Sequence, residues 1–164
     1  MLVGVGNWIY VVLVAMVIAA IVLVRAFSVP RGLPYRRRET LLTKAETRFY
    51  FALQNCVGDE WTIFAMVRIA DVLSVDAAQN PGRGWFNRIS NKHVDFVLCD
   101  PDSLRVVAAI ELDDASHERQ DRIERDEFVN AAFRSADLPL IRVPVQAKYE
   151  TSDLRKRLNA VLPK

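Results

Sequence analysis

Acid is missing from the first 38 residues of this 164-residue chain, and cysteine and histidine occur only twice each. Each shortage excludes something. Cys56 and Cys99 are too few and too far apart for a disulfide framework or a four-ligand zinc site. Both lie in apolar patterns that suit buried thiols in a reducing compartment. No internal repeat or low-complexity tract interrupts the chain. The acid-free start leaves its basic residues unopposed, and they are clustered: Arg25, Arg31, Arg36, Arg37 and Arg38.

Ahead of those arginines runs an apolar stretch from Leu2 to Val24 whose only strongly polar side chain is Asn7. About 20 helical residues at roughly 1.5 Å each span a hydrocarbon core about 30 Å thick, so residues 1–24 are expected to anchor the chain in a bilayer. A cleaved secretory signal would need a basic start, a shorter apolar region and a small-x-small exit, and none is evident. Basic residues collect on the cytoplasmic side of a span, which places the N-terminus outside and the remainder in the cytoplasm. Trp8 and Tyr10 would sit at the far interface. The arginines would hold anionic lipid headgroups at about 1 kcal/mol each. Residues 25–41, with Pro30, Gly32 and Pro34, form a basic juxtamembrane linker.

Residues 42–164 suit one compact domain. From residue 39 onward, 22 basic residues less the five flanking arginines leave 17 against 20 acids, a formal charge of −3. The basic character of the whole chain therefore belongs to the membrane flank, and it does not describe a nucleic-acid-binding surface.

Thr43-Lys44-Ala45-Glu46 has the form of a capping box, and Ala45, Phe49, Ala52, Leu53 and Cys56 follow at helical spacing until Gly58. Trp61 to Ile69 reads as a strand. Pro81, Gly82 and Gly84 break regular structure between residues 71 and 91, although Trp85 to Ile89 suits a helical turn. Strands over His93 to Cys99 and Leu104 to Leu112 flank the turn-forming Asp100-Pro101-Asp102-Ser103 as a hairpin. A helix over Glu118 to Ala136 presents Phe128, Val129, Ala132, Phe133 and Ala136, and Leu140 to Val145 supplies the last strand. A final helix starts at Thr151-Ser152-Asp153 and turns Leu154, Leu158, Val161 and Leu162 inward. The order αβββαβα predicts an α/β fold with helices packed on a mixed sheet.

Strand alternation puts Glu111 and Asp113 on one face. The same rule groups His93, Asp95 and Val97, opposite Val94, Phe96 and Leu98. The hairpin brings Asp95 beside the Glu111/Asp113 pair. Converging carboxylates repel one another unless they are hydrated or hold a hard cation such as Mg²⁺, so an acidic metal site is one expectation. Solvated loop and cap residues are the plainer one. His117, four residues beyond Asp113, is placed to act as general acid or base, or simply to cap the helix that follows. His93 suits a structural role. Arg119, Arg122, Arg125 and Arg134 are interspersed with Asp121, Glu124, Asp126 and Glu127 at spacings that suit ion pairs within the helix. Arg142, on the last strand, remains a candidate substrate contact.

His93-Val94-Asp95-Phe96-Val97-Leu98, then Val107-Ala108-Ala109-Ile110-Glu111-Leu112-Asp113-Asp114, then His117, resembles the core of the restriction-endonuclease-like superfamily with its PD-(D/E)xK pattern. It looks closest to the branch of the very-short-patch-repair endonucleases. The stretch from Arg37-Arg38 to Arg142 is similar to an uncharacterised bacterial domain family of that superfamily, often joined to an N-terminal membrane segment, which implies the bacterial inner membrane as location. The likeness covers about 110 residues and implies a restriction-endonuclease-like αβββαβ core. It also implies Mg²⁺ or Mn²⁺ as cofactor, nucleic acid as partner, Asp95 as metal-binding aspartate and Glu111 as the acidic residue of the (D/E)xK element. Glu46 matches a position that supplements the site in some members, beside its capping role.

Two departures matter. Asp113 stands where the pattern has lysine, and Asp114 where the related branch has glycine. An aspartate cannot orient water and stabilise phosphate charge as lysine does, although it can bind metal or align His117. Lys92 points away from Asp95 by alternation. Two functions follow as expectations: a membrane-anchored, metal-dependent nuclease, with Asp95, Glu111, Asp113 and His117 catalytic, or a catalytically degenerate module that binds nucleic acid or protein at the membrane. A third, a purely structural polar cluster, predicts destabilisation when its members are removed.

Overall fold

The computed structural model describes residues 5–27, 33–79, 81–113 and 120–162, and the chain divides into two compact units, Met1–Glu39 and Thr40–Lys164. In the first, helix α1 runs from Val5 to Phe27, about 34 Å of helix. The segment Trp8–Arg25 has a mean hydropathy of 2.6, so α1 is long and apolar enough to cross a membrane.

The second unit begins with α2 (Lys44–Val57), whose start is set by the predicted capping box. The Glu46 carboxylate accepts from the Thr43 amide at 2.8 Å, and the Thr43 hydroxyl accepts from the Glu46 amide at 3.3 Å. Gly58 ends the helix at φ +55°, its amide donating to Gln54. A residue with a Cβ would be strained there.

Strand β1 (Thr62–Arg68) leads into a one-turn helix α3 (Ile69–Val72), two short 3₁₀ turns and α4 (Gly84–Ser90). The hairpin follows as β2 (His93–Cys99) and β3 (Val106–Asp113). The second strand starts two residues later than expected because Leu104 is still in the turn, at φ +56°. The turn is closed by the Asp100 carboxylate, which accepts from the amide and hydroxyl of Ser103. Helix α5 (Gln120–Ser135) leads to β4 (Leu140–Pro144), and α6 (Thr151–Asn159) closes the series. Glu150, rather than a residue of the Thr151-Ser152-Asp153 run, takes the N-cap position of α6.

The sheet order is β1-β2-β3-β4, with antiparallel pairing except for the parallel β3–β4 pair. A mixed α/β fold results, as the element order requires. One core, between the sheet and α2 with α6, contains Phe49, Leu53, Phe96, Leu98, Ile110 and Leu158. The other, under α3, α4 and α5, contains Ile69, Ile89, Val94, Val97, Val129 and Phe133. Val161, expected to face inward, is exposed beyond the end of α6.

Val94 lies in the same core as Val97, and this corrects the expected alternation along β2. The two strands rotate together at one step. Pairing passes from Ala65↔Phe96 to Val67↔Val94, and Met66 between them has φ +55°, costly for a residue with a side chain. Asp95 stands directly across from that step.

Candidate acidic site

Asp95 does not simply project from a sheet face. Regular β2–β3 pairing stops at Phe96↔Ile110, and beyond it the Asp95 carboxylate accepts the Leu112 amide at 2.7 Å. A side chain thus takes the place of a ladder bond where the two strands separate. One carboxylate oxygen is used in holding the site open. Glu111 and Asp113 flank Leu112, on the face covered by α5.

Arg142 fills that face. It sits opposite Glu111 in the parallel β3–β4 register, so the two side chains share a side of the sheet. Its Nη2 is 3.0 Å from Glu111 Oε2 and 3.4 Å from Asp126 Oδ1, and its Nη1 donates to Asp113 Oδ1 at 2.7 Å. Nε donates to the Asn130 side-chain oxygen at 3.2 Å. Nη2 is buried and makes no directed hydrogen bond, so charge alone holds it to its carboxylates. Arg142, expected as a substrate contact, is therefore the central cation of the site.

The site shifts the titration of its acids. Burial raises the pKa of Asp95; the Leu112 amide opposes this, Glu46 and Asp113 add to it, and Arg125 opposes it again. Burial likewise raises Glu111, against the attraction of Arg142 and with reinforcement from Asp95, Asp126 and Asp113. Burial acts to lower the basicity of Arg142, but Glu111 and Asp113 more than restore it. These couplings tie Glu46, Asp95, Glu111, Asp113 and Asp126 into one electrostatic unit. The Glu46 carboxylate is engaged in its capping box while it adds charge beside Asp95.

Asp126 and Asn130 were not expected here. Asp126, whose spacing suits ion pairs within its helix, reaches Arg142 on β4. The i,i+4 spacing of Asp126 and Asn130 on one helix face was the available signal. Lys92 donates to the Arg88 carbonyl at 2.7 Å and so is directed toward α4. His93 is exposed. His117 and Asp114 lie outside the described residues, as does Arg119.

As donors, these carboxylates suit a hard divalent cation. Their arrangement holds a guanidinium. Among the described residues, no group of three or more His, Cys, Asp or Glu is gathered closely enough to hold a metal ion. Both cysteines are free and buried, and burial pushes each thiol up.

A mixed sheet carrying half-buried acids and an arginine where two strands part defines an α/β domain with a charged site at the end of its hairpin. Over residues 38–162 the chain matches the family described as Protein of unknown function (DUF2726), and it belongs to that family. No curated protein and no solved structure matches it.

Proposed function

We propose that this chain is a membrane-attached, metal-dependent nuclease of restriction-endonuclease-like fold, its N-terminus outside the bacterial inner membrane and its domain in the cytoplasm. One observation carries the reading: half-buried Asp95 and Glu111, with raised pKa values, stand together where β2 and β3 separate. Perturbed carboxylates gathered at a strand end are the expected sign of a site built for charge chemistry. On this reading Asp95, Glu111 and Asp113, which are not gathered closely enough as they stand to hold a metal ion, would have to draw together around Mg²⁺ or Mn²⁺, which would supply an activated water and neutralise charge on a phosphodiester. Glu46 deepens the negative potential beside Asp95. Arg142 would exchange part of its pairing with Glu111 and Asp113 for a substrate phosphate oxygen. His117 is the proton-transfer group of this reading.

A second reading has a specific observation in its favour: Arg142 already neutralises Glu111 and Asp113. On it, the domain keeps a charge-balanced site and binds nucleic acid or protein without cleaving. Calorimetry of the full chain with Mg²⁺ and Mn²⁺, followed by cleavage assays on DNA and RNA, separates the two. The nuclease reading expects divalent binding and cleavage that Asp95→Asn and Glu111→Gln abolish while the fold is kept. Cleavage unaffected by both substitutions, or no divalent binding with or without oligonucleotide, would overturn it.

A further inference from the structure

We infer that the groove between α2 and the free edge of β1 is a docking surface for an anionic bilayer, with Leu41, Phe51 and Phe64 entering the headgroup region and Lys44 and Arg48 pairing with lipid phosphates. The inference rests on the reading that α1 attaches the chain to a membrane, and it names the face that the second unit offers to lipid. The groove has a volume of about 480 Å³ and is walled by Leu41, Leu42, Tyr50, Phe51, Ile63 and Phe64, and no charged side chain lines it.

Its apolar content is uncovered. Leu41 is 67% exposed, Phe51 57% and Phe64 42%. The Phe51 ring stands at 74° to that of Tyr50, with centroids 5.5 Å apart, and still keeps more than half its surface in solvent. β1 is an edge strand whose sheet partner is β2, so the groove bends over an open side of the sheet. Single exposed apolar residues are ordinary, but three large ones gathered about one groove mark a contact surface.

Charge indicates the partner. Lys44, Arg48 and Phe51 form one stripe of α2 at i, i+4 and i+7. Both cations are exposed, and among the described residues neither takes part in an ion pair. The same holds for Arg36, Arg37 and Arg38, which precede the groove residue Thr40 in the chain. Against these five cations the stretch from residue 36 to residue 48 has two acids, Glu39 and Glu46. Glu46 is engaged by the Thr43 amide, and helical spacing turns it away from the Lys44–Arg48–Phe51 stripe. Asp59 and Glu60 lie beyond the other end of α2, where Glu60 is paired with Arg155. Apolar rings beside unopposed cations match the two components of an anionic lipid surface, its acyl boundary and its phosphate charge.

Attachment favours lipid over a soluble partner. Thr40 and Leu41, the first residues of the second unit, belong to the groove, and only twelve residues separate Phe27, the last of α1, from Thr40. A bilayer crossed by α1 is therefore always at hand, at an effective concentration that a free partner lacks.

The test uses the full chain in nanodiscs of phosphatidylcholine, with or without phosphatidylglycerol, and with or without bromine on the acyl chains. A tryptophan is added singly as Phe51→Trp, as Phe64→Trp, or as Ala131→Trp on the exposed side of α5, and its emission is read as the difference from the native chain. The inference expects emission at positions 51 and 64 to be blue-shifted and quenched by bromolipid in the anionic nanodiscs, with far less quenching at 131. Quenching at 51 should be several-fold weaker in the Lys44→Gln/Arg48→Gln variant and at high salt. Quenching at 51 and 64 no greater than at 131 would overturn the inference, as would quenching indifferent to lipid charge and to loss of both cations. So would a blue shift at 51 without bromolipid quenching, which would make the groove a contact between copies of the chain. Co-elution with nanodiscs keeps the two proposals apart. Co-elution without quenching leaves attachment standing and overturns the docking, whereas a chain that stays outside the nanodiscs overturns attachment and the docking with it.

Discussion

Asp95 is the residue in which the design conflict of this domain is concentrated. Its carboxylate supports the backbone through Leu112, yet burial and nearby acids oppose its ionisation. The sign of the consequence is definite. A carboxyl whose folded pKa exceeds its unfolded value binds protons more tightly in the folded state. Stability therefore falls as pH rises from the ordinary carboxylate range through the raised folded value, and is flat above it. Glu111 contributes with the same sign. Asp95→Asn keeps an oxygen for the Leu112 amide and removes the charge. Its melting temperature should exceed that of the native chain at pH 7, and the gain should shrink as pH is lowered; thermal scans across pH check both. Arg142→Met should act oppositely, leaving half-buried Glu111 without its cation. The loss should be about 2 kcal/mol, below the 3–5 typical of fully buried pairs because both groups keep some solvent, as read from denaturant midpoints.

Among the elements, those with a local cause were readable in advance. The capping box at Thr43 and Glu46 is a contact over three residues, and the Asp100–Ser103 turn fixes its own hairpin. Thr43→Ala should accordingly cost about 1 kcal/mol of stability in urea unfolding. What could not be read had a tertiary cause. The rotation of β1 and β2 at Met66 and Asp95 reverses which face Val94 takes, and nothing in the alternation of Val94, Asp95 and Phe96 signals it. Arg142 stood out as a cation on the last strand, but its partners come from β3 and α5, a relation visible only once the parallel pairing is known. The strained step itself is testable. Met66→Gly relieves a positive φ at a side chain that is largely outside the core, and should raise the stability read from denaturant unfolding by up to about 1 kcal/mol, whereas glycine at neighbouring Val67 should lower it.

At the scale of the molecule, the chain joins a helix long and apolar enough to cross a membrane to a second unit that carries the acidic site, so the two can be altered separately. Placing one lysine at the middle of α1, as in Ala19→Lys, should weaken membrane retention, at about 2.5 to 3.5 kcal/mol for a central charge. Carbonate extraction of membranes from expressing cells reads that change. Calorimetry of divalent binding should be unaffected by it, because the carboxylates belong to the second unit.

The meeting of α2 and α6 has a kinetic consequence. Arg155 of α6 donates to the Cys56 carbonyl and pairs with Glu60 at 2.6 Å, and the Cys56 thiol lies against the Thr151 carbonyl, so this seam joins positions 95 to 99 apart in the chain. The β2–β3 hairpin needs only the short turn after Cys99 to assemble, whereas the seam requires the chain to close a long loop. The seam should therefore form after the rate-limiting step, and damage at Arg155 should hasten unfolding while leaving the refolding rate nearly unchanged. A helix late in the order of assembly would thus act as the latch that sets the lifetime of the folded domain.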